Sequence, residues 1–583
     1  MNAAQGKDAV RMLTAMVHLR ASLAAAELPF AVPDVAGLRQ QRAEVITQLE
    51  TYVIPRVMSL ESPMLAVVGG STGAGKSTLV NSLVGHRVTT PGVLRPTTRS
   101  PVLVHHPDEA TWFGQDRLLP DLVRVDHSTD DPGCIQLVAT DAVPRGLAIL
   151  DAPDVDSVEQ RNRELAAHLL QAADLWLFVT SAARYADQVP WVYLRQAAER
   201  STAVAVVLDR TPDEAVQTVA THLARMLASR GLKDSPLFTV HESAVDDEGL
   251  LPASNVAEIR GWLETLAADV EARELVVRQT LDGAVRAITR HAYPIADAVD
   301  QQARAAAALR AEADEQYANA RDRLGRGAGD GSVLQGEVLA RWQEFAGGGE
   351  LLRSLDSRVG GLRDRVVNTI RGKAQQAERV TVAVESALEA LVLGEAEDAA
   401  AAVYRAWNDT DEGRAALSEE PRSLGRASAD LRRRAERTVR DWQLDVAESV
   451  RGQASDRRTS ARFLTIGLNG LAVSLMVAVL GRSTGTSGRG DRDDAATAAR
   501  RVLSAVFSAE ELDDLLTSTA ASLEQRLGRL MGEEEGRFIA LLGPVADDAT
   551  DRATVTPGTT DVAERLREAA RRVDDLRYKG VST

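Results

Sequence analysis

Residues 70–77 read Gly-Ser-Thr-Gly-Ala-Gly-Lys-Ser. Gly70, Gly73 and Gly75 let the backbone curl so that successive N–H groups converge on an anion. Lys76 adds a compact positive charge, and the Ser77 hydroxyl can ligate a divalent cation. Only five of the 68 basic residues are lysine, which makes a lysine at this position conspicuous. The apolar run 64–70 leads into the loop, and the helical pattern TLVNSLVG follows it. A helix beginning here directs its positive end at the bound anion. The expected phosphate contacts are Gly70, Ser71, Thr72, Gly73, Ala74, Gly75, Lys76, Ser77 and Thr78.

The same glycines admit a second reading. Residues 69–73, GGSTG, fit G-x-S-x-G, which would make Ser71 a nucleophile. That reading leaves Gly75-Lys76-Ser77 without a purpose, and no later Asp and His stand out as partners, so the phosphate loop is preferred.

Two further segments supply metal-site chemistry. The loop 94-LRPTTRSPVLVHH-106 carries Thr98, expected to close over Mg²⁺ and a terminal phosphate, with Thr97 second. Strand 147-LAIL-150 delivers Asp151 at its carboxyl end, where ligands bind in open α/β sheets. Lys76, Thr98 and Asp151 form the expected catalytic set, and Ser77, Thr98 and Asp151 the expected Mg²⁺ ligands. Asp209 and Arg210, in 209-DRTPD-213, and Ser243, in 241-HESAV-245, are the candidates beside the base.

GGSTGAGKST, RPTTR and DAPDVDS together resemble the first three nucleotide motifs of the translation-factor-related GTPases, among them the bacterial dynamin-like proteins. The resemblance is specific over residues 61–160, weaker to about 250, and architectural beyond. It implies a membrane-associated P-loop GTPase with GTP as substrate and Mg²⁺ as cofactor, coupling hydrolysis to assembly and membrane remodelling. Its implied partners are membrane lipid, a second copy meeting it through the GTPase domain, and a paralogous GTPase; its implied place is the cytoplasmic face of the cell membrane. The chain departs from the family's pattern at three places. Asp154 stands where the third motif carries glycine. Asp209 and Arg210 take the Asn-Lys positions of the guanine motif, and Pro212 takes that of its base-reading aspartate. Thr72 and Gly73 replace a glutamine and a serine of the dynamins, which predicts slow hydrolysis or a group supplied in trans, with Arg95 and Arg99 as candidates. A nucleotide-switched membrane scaffold with little hydrolysis, and a P-loop ATPase, are the alternative functions.

The elements that must hold this site follow from apolar patterning. Short buried-type runs at 64–70, 101–106, 134–140, 147–153, 175–181, 202–209 and 235–243 alternate with helical segments. They predict an α/β P-loop NTPase domain with a parallel-rich sheet over residues 61–262. Residues 1–60 read as helices packing on that domain or on a stalk. From about 255 onward only helical periodicity remains, predicting a stalk over 263–462, a flexible linker over 482–497 and further stalk helices over 498–583. Leu355, Val359, Leu362, Val366 and Ile370 mark one helix face. Leu512, Leu516, Ala520, Leu523, Leu527 and Leu530 mark another, with Ser508 and Glu511 as its capping box.

The net charge of −16 argues against a nucleic-acid-binding protein, since phosphate binding needs a concentrated basic surface. A single cysteine, Cys134, excludes an intrachain disulfide, and no His/Cys metal spacing occurs. The stretch 463-FLTIGLNGLAVSLMVAVLG-481 carries no charge. As one helix it would be about 28 Å long, against a hydrocarbon core of ~30 Å. With arginines on both flanks, it is expected to engage a membrane, as a re-entrant tip bending near Gly467, Asn469 and Gly470 or as a single span. The other reading is a helix buried in a bundle.

Overall fold

The computed structural model describes residues 3–59, 61–89, 100–115, 117–129, 131–200, 202–347, 363–418, 422–453, 461–482, 491–543 and 561–581. The chain divides into two compact units, one of residues 1–28, 34–300 and 559–583, the other of residues 29–33 and 301–558.

The first unit is built on an eight-stranded sheet. Its strands are β1 (Met64–Gly70), β2 (Val102–His105), β3 (Val123–Val125), β4 (Cys134–Ala139), β5 (Leu147–Asp151), β6 (Leu175–Ser181), β7 (Ala203–Thr211) and β8 (Leu237–His241). The spatial order is β3-β4-β2-β5-β1-β6-β7-β8, and every neighbouring pair is parallel except β2 with β5. Seven strands coincide with the apolar runs of the sequence. The eighth, β3, has only three residues and a largely exposed Val123, so it lacks the buried alternation that reveals a strand.

All seven residues of β1 are buried, because helices cover both faces of the sheet. Alternate residues face opposite ways. Leu65 and Val67 meet Leu165, Leu169, Leu194 and Leu223, from the helices Gln160–Gln171, Gln188–Glu199 and Asp213–Ser229. Ala66 and Val68 meet Leu79, Val80, Ile259 and Leu263, from the helices Lys76–Val84 and Ala253–Ala268. The helix Ala3–Ala25 packs along Val562–Val581 in this same unit, with Leu19, Leu23, Leu566 and Val573 buried.

The second unit is helical, with one core containing Trp342, Trp407, Trp442 and Phe538. The indole N–H of Trp407 donates to Leu309 O at 3.0 Å, and that of Trp442 to Thr519 O at 3.1 Å. The capping box is present: Ser508 opens the helix Ala509–Ile539, with Glu511 returning the bond. Leu523, Leu527 and Leu530 of that helix are buried. Residues 355–362 lie outside the described residues. Of the expected linker, 483–490 lie outside them as well, and 491–497 are helical.

The apolar stretch corrects an expectation. Among the described residues, no helix is long and apolar enough to cross a membrane. Gly467 breaks the helix Ala461–Leu480 with φ 74 and ψ 164. The continuous helix beyond it, 468–480, is about 20 Å long, well short of the ~30 Å core of a bilayer. Every residue from Leu471 to Leu480 is buried, including Ser474, whose hydroxyl donates to Gly470 O at 2.8 Å. Four helices of the same unit cover it: Arg363–Asn408, Leu431–Gln453, Asp491–Ser504 and Ala509–Ile539. Each contributes one apolar stripe, and together the stripes enclose a helix that is apolar all round.

Candidate functional site

The sheet gathers its functional residues by register. Val68 on β1 pairs with Asp151 on β5, Gly70 with Val179 on β6, and Ser181 with Asp209 on β7. The carboxyl ends of four strands therefore meet at one edge, around β1. The connections after β1 and β5 leave to opposite faces there, which is where open α/β sheets bind ligands.

The loop 71–75 joins β1 to the helix Lys76–Val84. Gly70, at φ 149, lies so close to β6 that a Cβ would strike the Val179 carbonyl oxygen. Gly75, at φ 100, lies under the Asp209 carboxylate, and a Cβ there would strike Oδ2. The loop is thus pinned between β6 and β7. The Ala74 N–H donates to Ser71 O at 3.2 Å, and Lys76 folds back so that Nζ donates to Ser71 O at 3.2 Å. Gly73 is exposed, Ala74 is buried, and the Thr78 carbonyl accepts from the Ser82 hydroxyl at 2.7 Å. Ser71 is buried, and its hydroxyl has no hydrogen-bond partner. A nucleophilic serine requires an adjacent base, so the G-x-S-x-G reading fails on geometry.

Ser77 Oγ donates to Asp151 Oδ2 at 2.6 Å. Asp151 is fully buried, and its other oxygen, Oδ1, has no hydrogen-bond partner. Burial pushes this carboxyl up to about 6, opposed by the Ser77 hydroxyl, the Lys76 charge and the Thr89 hydroxyl. A buried hydroxyl–carboxylate pair with a vacant acceptor oxygen suits Mg²⁺, which takes one or two protein oxygens and completes its shell with phosphate and water. Among the described residues no cluster of three His, Cys, Asp or Glu side chains could hold a metal alone. Thr98 and Thr97, with Arg95 and Arg99, lie outside the described residues.

Three residues that motif reading left out belong here. Thr89 is buried beside Ser77: its N–H donates to Asn81 Oδ1 at 2.8 Å, and its hydroxyl lies 3.4 Å from Ser77 O. Asp156 accepts from both the N–H and the hydroxyl of Thr72, at 2.6 and 2.8 Å. Arg184, just beyond β6, donates to Asp156 Oδ2 at 2.9 Å. Asp154, singled out by its departure from glycine, forms an ion pair with Lys76.

On the base side, Asp209 is buried and Arg210 exposed. Asp209 Oδ1 accepts from the Arg210 N–H at 2.7 Å, and Arg210 sits at φ 48. Burial pushes the Asp209 carboxyl up to about 6, against the opposing pull of the Arg210 N–H and charge. Asp213 opens the next helix and lies 2.5 Å from His241 Nδ1. The Ser243 hydroxyl accepts from Asn255 Nδ2 at 3.0 Å, which fixes the loop after β8 beside the others.

No protein-family model matches the chain. A curated relative, "Probable transmembrane GTPase FZO-like, chloroplastic" of Arabidopsis thaliana, is 27% identical over 154 residues. That match takes in 26% of this chain and spans only 16% of the relative's length. A solved structure described as an oligomerised bacterial dynamin pair, for long-range sensing and tethering of membranes, aligns over 92% of this chain and 91% of its own. Its TM-score is 0.35 and its identity 8%. A second, "LeoA bacterial dynamin GTPase from ETEC", aligns over 99% of each chain with a TM-score of 0.23 and 12% identity. Likenesses of that size do not define a shared arrangement. In its phosphate-loop motifs the chain resembles the dynamin-like GTPases, and over the stretch of its curated match it is similar to an FZO-like transmembrane GTPase.

Proposed function

We propose that the protein binds and hydrolyses GTP as a dynamin-like nucleoside triphosphatase. The observation that carries this reading is the pinned loop 70–77, with Lys76 and the Ser77–Asp151 pair, at the carboxyl edge of the sheet. The N–H groups of residues 70–78 would cradle the phosphates, and Lys76 would balance their charge. Ser77, Thr98 and Asp151 would hold Mg²⁺, which supplies further charge neutralisation when bound. Asp209, Arg210 and Ser243 would flank the base. Membrane lipid and further copies of the chain, meeting through the nucleotide domain, are the partners this reading assigns, with the cytoplasmic face of the cell membrane as its place. The resemblance of the motifs supports these partners.

A nucleotide-switched scaffold with little turnover is the second reading, favoured by the contact of Asp154 with Lys76. An ATPase is the third, favoured by Pro212 and by the engagement of Asp213 with His241.

The test is phosphate release from GTP and from ATP by the whole protein, with and without vesicles of anionic and zwitterionic lipid, beside Lys76→Ala. GTP-selective turnover that vesicles raise and Lys76→Ala abolishes is the expected result. Equal or ATP-selective turnover overturns the guanine assignment. Tight binding without turnover under any condition favours the scaffold.

A further inference from the structure

The Asp154–Lys76 pair decides more than hydrolysis. Both side chains are nearly buried, at 11% and 5% exposure. An ammonium has three N–H donors. One goes to Ser71 O and one to Asp154 Oδ1, which leaves one. The backbone that carries the carboxylate is held on both sides. The Val155 N–H donates to Gly70 O, the Ser157 N–H donates to Asp154 O, both at 3.3 Å, and Asp156 is bonded to Thr72. The strand end and the loop thus deliver the carboxylate to the lysine.

We infer that Asp154 sets the preference of the site between diphosphate and triphosphate. This rests on the nucleotide reading above and deepens it. A phosphate-loop lysine serves both the second and the third phosphate. Here its outward donor is already held by a fixed anion. A nucleoside diphosphate uses the remaining donor and leaves the pair intact. A third phosphate must take the donor from Asp154, and it brings like charge against a carboxylate with little water between them. The discrimination is an unfavourable contact built against one ligand.

The test measures affinities of the full chain, in excess Mg²⁺, for GDP and for a non-hydrolysable GTP analogue. Asp154→Asn keeps the shape and removes the charge; Asp154→Gly removes the side chain. In both variants the ratio of triphosphate Kd to diphosphate Kd is expected to fall by about tenfold or more, with the diphosphate Kd within about threefold of the parent. A ratio unchanged in both folded variants, or two ligands shifting together, overturns the inference and leaves the nucleotide site standing. Failure of the parent and both variants to bind either nucleotide, with circular dichroism showing all three folded, overturns the nucleotide reading and the inference with it.

Discussion

Thr72 is fastened to Asp156 twice, N–H and hydroxyl meeting the same carboxylate oxygen, while the other oxygen accepts from Arg184. The chain thus uses one side chain to tie the phosphate loop to the segment after β5 and to the turn after β6. Asp156→Ala removes two bonds to the loop and leaves Arg184 with Asp187 at 3.4 Å. Hydrogen bonds to charged groups contribute about 1.5–3 kcal/mol. The expected outcome is a nucleotide Kd weaker by about tenfold or more, with the midpoint of thermal unfolding lowered by only a few degrees. Titration with labelled nucleotide, beside a thermal scan, checks both halves. Unchanged affinity would mean that the loop holds its shape without Asp156.

Asp209 gives a stability prediction with a sign. Its carboxyl is raised from 3.8 to about 6 in the folded chain, chiefly by burial. Well below pH 3.8 the group is protonated in both states and costs nothing. Between pH 4 and about pH 6 the unfolded chain releases the proton first, so stability falls as pH rises. The loss is on the order of 3 kcal/mol, at about 1.4 kcal/mol per unit. Asp209→Asn removes that dependence. Its denaturant midpoint relative to the parent should therefore climb between pH 4 and pH 6.5 and level off above. A difference that is flat across this range rules out a buried, raised carboxyl.

How far the sequence reached depended on how far apart the cooperating residues lie in the chain. Lys76 and Ser77 were legible because the loop is contiguous and each position has one physical task. Asp151 was legible because a buried strand ends on it. Thr89, Asp156 and Arg184 were not: Asp156 meets Thr72 across 84 positions, and only the sheet order brings them together. Strands β1, β2, β5 and β6 announced themselves by continuous burial on both faces, and β7 by burial of all but two residues, whereas the half-buried β4 and β8 showed only as short apolar runs. The apolar stretch was misread because an absence of charge over 19 residues describes a helix in lipid and a helix inside four others equally well. The bend expected at Gly467 is present, and the uninterrupted helix that follows it is packed inside the bundle.

A second buried charge, far from the phosphate site, anchors the N-terminal helices to the sheet. Arg56 Nε lies 3.1 Å from Asp174 Oδ1, and Asp174 also accepts from the Tyr52 hydroxyl and the Leu65 N–H. Both members of the ion pair are buried. Burial raises the Asp174 carboxyl, and Arg56 opposes that shift. Removing one partner of a buried pair costs about 3–5 kcal/mol, and the two bonds that remain to Asp174 put Arg56→Met at the low end. Without the guanidinium the carboxyl rises further. The folded variant then gains from protonation, so its deficit against the parent should shrink in acid. Urea unfolding at pH 7 and pH 4.5 measures the two deficits; equal values would show that Arg56 stabilises through its bonds to Ser59 and Ser62 and its packing rather than through Asp174.

The burial of residues 471–480 separates the bundle from the bilayer in one experiment. Met476 is 2% exposed and Asn469 is exposed, on the same helix beyond Gly467. Met476→Lys forces an ammonium into a core that offers no acid within the segment. Burying an unpaired charge is costly enough that unfolding or rearrangement is the cheaper response, and a loss of roughly 3–5 kcal/mol is expected. Asn469→Lys adds the same charge where the side chain meets water and should change stability by less than about 0.5 kcal/mol. Circular dichroism melts of the whole chain in plain buffer read both values, and limited proteolysis shows whether cleavage falls in the helical unit. A segment that stands away from the bundle and waits for lipid would give the opposite pattern: both lysine variants would melt like the parent in buffer, and only vesicle binding would respond.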